Sequence, residues 1–161
     1  MRIFPYSFPG GRLVQRVVEC NLLTSSGENP ENQIRHVTRL THALAVELSN
    51  EQYDKAADLC TKDAIWERYD GSESSIAEFY ADLQSIPNKR AFYLIPIHGE
   101  EERISATEIS LQCDVSQQIQ TGIVDVGNYH WQVELTWEKT RLTWKVSRIR
   151  DLTERTYSET K

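Results

Sequence analysis

Apolar residues recur in two rhythms along this chain, a helical one before residue 87 and an alternating one after it. From residue 30, Ile34, Val37, Leu40, Leu44 and Leu48 follow a helical period and predict a helix with one buried stripe. Asn29 supplies its N-cap and Pro30 its first position, where an N–H has no partner to lose. A second helix is expected from Ser49, with Gln52 at capping-box spacing, to about Lys62, burying Tyr53, Ala56, Ala57, Leu59 and Cys60. Ala64 to Tyr69 is dense in Ile, Trp and Tyr and too short for a helix, so it reads as a strand before the turn Asp70-Gly71-Ser72. A third helix pairs Ser75 with Glu78 in a capping box, lines up Ile76, Phe79, Tyr80, Leu83 and Ile86, and stops at Pro87.

Only strands follow. Segments 91–98, 103–115, 122–137 and 142–150 are separated by polar turns at 99–102, 116–118 and 138–141, and connections this short predict antiparallel hairpins. Tyr129, Trp131, Val133, Leu135 and Trp137 share one face, His130, Gln132, Glu134 and Thr136 the other, and Leu142, Trp144 and Val146 repeat the pattern. The sum is an α+β fold: three N-terminal helices packed on a strongly curved antiparallel sheet, forming an open cone.

Composition narrows the function classes. At 161 residues one domain is expected over 30–152, flanked by an N-terminal appendage, 1–29, rich in Pro and Gly, and a C-terminal tail, 153–161. Cys20, Cys60 and Cys113 cannot all pair within one chain, and the last two sit among apolar residues, which points to a reducing, cytoplasmic setting. No apolar run approaches the roughly 20 residues of a membrane span, so no membrane partner is expected. A net charge of −6 argues against nucleic acid as a partner. The charge is uneven: residues 138–161 hold seven Lys or Arg against four Asp or Glu, and pairing of that basic end with the acidic remainder is the expected reason.

Motif chemistry is sparse. The chain has no His-Glu-x-x-His, no Cys-x-x-Cys, no Gly-x-Ser-x-Gly elbow and no phosphate loop, and His36 and His42 fall on different helix faces. Neither a metal nor a cofactor is expected. Tyr53, Tyr80, Tyr93 and Tyr129 are candidate donors to a ligand oxygen, and most phenols of this kind serve as core residues instead.

Three stretches carry a resemblance: Thr61-Lys62-Asp63-Ala64-Ile65-Trp66-Glu67, Ser75-Ile76-Ala77-Glu78-Phe79-Tyr80 and Leu142-Thr143-Trp144-Lys145-Val146. With the element order, they make residues 30–152 similar to the nuclear transport factor 2-like fold, which includes the SnoaL-like polyketide cyclases and ketosteroid isomerases. These are packing motifs, informative about fold and little about activity. The resemblance implies that Trp66 faces the cone, and alternation then turns Arg68 the same way. In the isomerase branch that place holds an aspartate acting as general base, a role a permanently protonated guanidinium cannot fill. Arg68 is therefore expected either to clamp an anion or to pair with an acid such as Asp70 or Glu134. Tyr129, in phase with Trp131, is the preferred oxyanion donor, so Arg68 and Tyr129 are the catalytic candidates, with Trp66, Tyr80 and Trp131 as the ligand-binding wall. The implied function is binding of a small, mainly apolar or weakly acidic molecule with an anionic or carbonyl group, with cofactor-free acid-base catalysis of isomerase, cyclase or dehydratase type. The alternative is a non-catalytic dimerisation or partner-binding module with a filled cone. A homodimer through the sheet is implied in either case, with Gln132, Glu134, Thr136, Thr143 and Lys145 near the contact.

Overall fold

The computed structural model describes residues 29–160, and the chain divides between Gln33 and Ile34. The expected appendage, with Cys20, lies outside the described residues apart from Asn29. Helix α1 (Pro30–Ser49) is capped as the sequence predicts: Asn29 Oδ1 accepts the Asn32 N–H at 2.8 Å. Its buried stripe holds Val37, Leu44 and Leu48, and Thr41 joins them because its hydroxyl donates to the Val37 carbonyl at 2.8 Å.

The expected second helix is largely absent. Glu51 adopts a left-handed φ of 58°, and the Gln52 N–H reaches back to the Glu47 carbonyl at 2.8 Å, a Schellman-type stop that closes α1. Ser49 is thus the last residue of α1, and its hydroxyl accepts the Phe92 N–H at 3.2 Å instead of capping a new helix. What remains of the second helix is α2 (Tyr53–Ala57), and the chain is already extended in β1 (Cys60–Glu67). After the three-residue β2 (Glu73–Ser75) comes α3 (Ile76–Gln84), which buries Ile76, Phe79, Tyr80 and Leu83. Ser75 stands at its N-cap without a side-chain bond, and Glu78 turns to Arg68 rather than back to the cap, so neither half of the expected capping box forms. Full-length helices are therefore fewer than the three expected before the sheet.

Strands β3 (Lys89–Ser105), β4 (Glu108–Gln120), β5 (Val126–Thr140), β6 (Thr143–Asp151) and β7 (Thr156–Thr160) complete the curved, open sheet. Its order is β2-β1-β6-β5-β4-β3, with β7 added against β5. Every pair is antiparallel except β1–β6, which is parallel, so the sheet is mixed rather than wholly antiparallel. Two expected turns are not turns. Gly99, at φ 90°, sits in a bulge inside β3, and Ser116 to Gln118 pair with His130 to Asn128 across β4 and β5. The last hairpin reverses at Arg141 and Leu142, Arg141 at φ 57°, which leaves Leu142 exposed at a tip instead of in the core.

The inner face of the sheet is the core. Leu111, Cys113 and Val115 of β4, Trp131 to Trp137 in alternation on β5, and Trp144, Val146 and Ile149 on β6 are buried with the apolar faces of the helices. Each such side chain stabilises the fold by roughly 1.5–3 kcal/mol relative to exposure. The outer face pairs charges: Arg148 meets Glu67 at 2.6 Å and Glu73 at 3.0 Å, and Arg150 meets Glu134 at 3.0 Å. Arg148 and Arg150 of the last long strand are thus neutralised within the chain. Past β6 the residues expected as a tail fold back. Leu152 N–H donates to the Gln132 carbonyl and Gln132 N–H to Thr153 Oγ1, both at 2.8 Å, before β7 pairs along Val126 to His130. Tyr157 on β7 packs over Gly127, where an added Cβ would run into its ring, and against Tyr129 at 5.0 Å.

Candidate functional site

The sheet register places one acid on the inner face at the end of β6. Ile149 is paired with Trp66 on one side and Leu135 on the other, and Asp151, two residues on, stands opposite Val133. Trp66 is buried, and its indole N–H donates to Asp151 Oδ2 at 3.2 Å. Arg68 lies just past β1, its guanidinium 4.2 Å from the centroid of the Trp66 ring and 3.2 Å from Glu78 Oε1. From α3 comes Asp82, and from the loop after β6 comes Arg155. Its Nη2 is 2.8 Å from Asp82 Oδ2 and its Cζ 4.2 Å from the centre of the Trp131 ring.

These groups border a cleft of about 460 Å³ lined by Trp66, Arg68, Asp82, Asp151, Thr153 and Arg155 among others. Burial pushes the Asp151 carboxyl up to about 6, against the pull of the Trp66 hydrogen bond and the charges of Arg155 and Arg68, while the charge of Asp82 pushes it further up. Its Oδ1 is buried with no hydrogen-bond partner. A carboxyl that titrates near 6 beside a cleft can both give and take a proton at neutral pH.

Two of the expected site residues are here: Trp66 and Arg68 line the cleft. Arg68 pairs with Glu78 rather than with Asp70 or Glu134; Asp70 Oδ1 accepts from Ser72, and Glu134 from Arg150 and Ser110. Tyr80 is held in the core, its hydroxyl donating to the Ala56 carbonyl at 3.2 Å and lying 3.1 Å from Cys60 Sγ. Burial raises both groups, the Cys60 thiol to about 11. Trp131 lies under Arg155 and edge-on to Phe92, and Tyr129 sits at the β5–β7 junction against Tyr157. The structure therefore joins Trp66 and Arg68 to Asp151 and holds Tyr80 and Tyr129 elsewhere. The sequence does not single out Asp151, because alternation from Trp144 and Val146 has to pass a register shift between Thr136 and Trp137 to reach it. Asp82 and Arg155 carry no local signal at all. Among the described residues no three His, Cys, Asp or Glu are grouped as metal ligands would be, and no helix is long and apolar enough to cross a membrane.

No family model and no curated protein sequence matches this chain. Solved structures do. A scytalone dehydratase-like protein from Novosphingobium aromaticivorans superposes with a TM-score of 0.63 at 18% identity, over 78% of this chain and 87% of that one. The association domain of C. elegans CaMKII gives 0.63 at 14% identity, over 76% and 97%. This chain has the nuclear transport factor 2-like cone fold. A hexachlorocyclohexane dehydrochlorinase, LinA type 3, from Novosphingobium barchaimii shares the cone at a TM-score of 0.59 and 13% identity, over 81% and 92%. Identities this low carry the fold alone, and proteins with this cone include enzymes as well as an association domain.

Proposed function

We propose that this chain binds a small molecule through a carbonyl group in the cleft at the ends of β1 and β6, with Arg68 as polar anchor and Asp151 as the group that moves a proton. The observation that carries the reading is Asp151: a desolvated carboxyl, held by Trp66 on one oxygen, unpartnered on the other, beside a cleft. The lining decides between an anionic and a carbonyl ligand. Asp70, Asp82, Asp151 and Glu154 outnumber Arg68 and Arg155 there, so an anion meets a net negative wall. A neutral carbonyl oxygen can instead accept from Arg68 or from protonated Asp151, with its apolar part beside Trp66. Chemistry at such a site is cofactor-free proton transfer, of the isomerase, cyclase or dehydratase type.

The test is ligand-observed NMR on the full chain at pH 6 with a panel of small cyclic ketones and enones. Binding by the natural sequence, weakened at least about tenfold in Asp151→Asn and Arg68→Ala variants whose amide spectra stay native, is the expected result. A panel that never binds, or binds both variants equally well, overturns the reading.

A second reading has its own support. Part of the inner face is filled by its own side chains, with Trp66 edge-on to Phe79 at 5.3 Å and Tyr80 closed against Ala56 and Cys60. A filled cone serves a partner-binding module, and self-association would use the outer face around Gln132, Glu134, Thr136, Thr143 and Lys145. Native mass spectrometry separates the two: a bare multimer supports the module, and a retained small molecule supports the cleft.

A further inference from the structure

We propose that Arg155 is a positioning residue for Asp151: it ties Asp82 to the loop after β6 and so keeps a second carboxylate from governing the first. The proposal rests on the reading of Asp151 as the acid-base group, but its test reads protonation and not turnover, so the two can fail separately.

The charged and titratable groups around Asp151 come from every element that borders the cleft. β1 and its turn supply Trp66, a neutral donor, and Arg68, with Asp70 beyond them; α3 supplies Asp82; the loop supplies Glu154 and Arg155. Arg155 and Asp82 act on Asp151 in opposite senses, the arginine favouring its charged form and the aspartate its neutral one. The two are in contact with each other at 2.8 Å. One side chain therefore does two things: it neutralises Asp82 and adds its own positive charge beside Asp151.

Its place is fixed from both ends. The loop backbone is pinned to Gln132 by Leu152 N–H and by Thr153 Oγ1, and β7 starts one residue after Arg155. The guanidinium carbon stands 4.2 Å from the centre of the Trp131 ring, on a residue only 4% exposed, while Nη2 reaches Asp82. A planar guanidinium can stack and pair at once, and an ammonium cannot reproduce both. Without it, two carboxylates would face one cleft, an arrangement in which one of them holds its proton to higher pH.

The experiment is a carbon-detected NMR titration of the side-chain carboxyls of the full chain, with Asp151 assigned by its loss in Asp151→Asn. In Arg155→Gln the Asp151 midpoint should rise by about one pH unit. In Asp82→Asn it should fall, in the double variant it should lie between the two, and Arg155→Lys should restore part of the natural value. An Asp151 midpoint unmoved or lowered in a natively folded Arg155→Gln chain overturns the proposal. Should Arg155→Gln not fold, Arg155→Lys carries the same test, since an ammonium cannot stack on Trp131 and pair with Asp82 at once, and an Asp151 midpoint unmoved or lowered in that variant is then the overturning result.

Discussion

Tyr80 and Asp151 both lie on the inner side of the sheet, and burial raises the pKa of both. Their surroundings differ in one respect. The Tyr80 hydroxyl donates a hydrogen bond to the Ala56 carbonyl and lies 3.1 Å from Cys60 Sγ, and its ring packs against those of Tyr53 and Phe79, so the protein itself meets its polar demand. Asp151 receives one hydrogen bond from Trp66, keeps Oδ1 without a partner, and borders a cleft. A displaced protonation equilibrium marks a working site where such a demand is left unmet beside open space, and a structural one where it is met inside.

The largest effect should come from breaking the closed member of the pair. Tyr80→Ala removes a buried aromatic ring between α2, α3 and β1 and should cost about 3–5 kcal/mol in urea unfolding. Tyr80→Phe keeps the ring and loses the bonds to the Ala56 carbonyl and with Cys60 Sγ, and since the Ala56 carbonyl also accepts the Leu59 N–H at 3.1 Å, about 1 kcal/mol is expected. Carbonyl-ligand binding should survive in Tyr80→Phe; its loss would erase the distinction between the two residues.

Asp151 should show itself next, through pH. Its folded midpoint, about 6, stands above the ordinary value of 3.8, so the folded chain holds this proton more tightly than the unfolded chain does. The corresponding stability is fully present below pH 3.8 and is lost as pH rises through 6. Allowing for its partial exposure and solvent screening, the loss is about 1–2 kcal/mol. Urea melts at pH 4 and pH 7 should show this difference in the natural sequence and lack it in Asp151→Asn; equal slopes in both chains would place Asp151 in ordinary solvent.

How much of this was readable beforehand follows from range. The α1 cap at Asn29, the buried faces of α1 and α3, and the alternation of β5 are local regularities, and the structure repeats them. The second helix failed on one left-handed residue, Glu51, where nothing in the composition signals a stop. The expected turns at 99–102 and 116–118 failed because polar residues inside a strand look like loop residues in one dimension, even where one of them, Gln117, is buried in phase with Val115 and Ile119. For the cleft, Trp66 and Arg68 were legible as neighbours because they are two apart at the end of β1, Arg68 just past its last residue. Asp82, Asp151 and Arg155 come together only through the parallel β1–β6 pairing and the return of β7, contacts that no spacing encodes.

Arg68 sharpens the comparison at smaller cost. Its pair with Glu78 joins a half-buried arginine to an exposed glutamate, so Arg68→Ala should change stability by no more than about 1 kcal/mol. A ligand held by the guanidinium should nonetheless lose roughly tenfold in Kd, read by NMR titration. A large stability loss with unchanged affinity would assign Arg68 to packing on Trp66 and leave Asp151 without an anchor.

The smallest effect is expected at Tyr129. Its ring packs on Tyr157 where β7 joins β5, a contact that Tyr129→Phe preserves, so stability should stay within about 0.5 kcal/mol and affinity for a carbonyl ligand should not change. Tyr129 precedes Trp131 by two residues on the same inner face, and Trp131 in turn lies beneath Arg155. A loss of binding in Tyr129→Phe would therefore mean that the ligand extends along β5 past the Arg155 guanidinium. Asp151 would then stand at one end of a longer site, with the Tyr129 hydroxyl as the donor at the other.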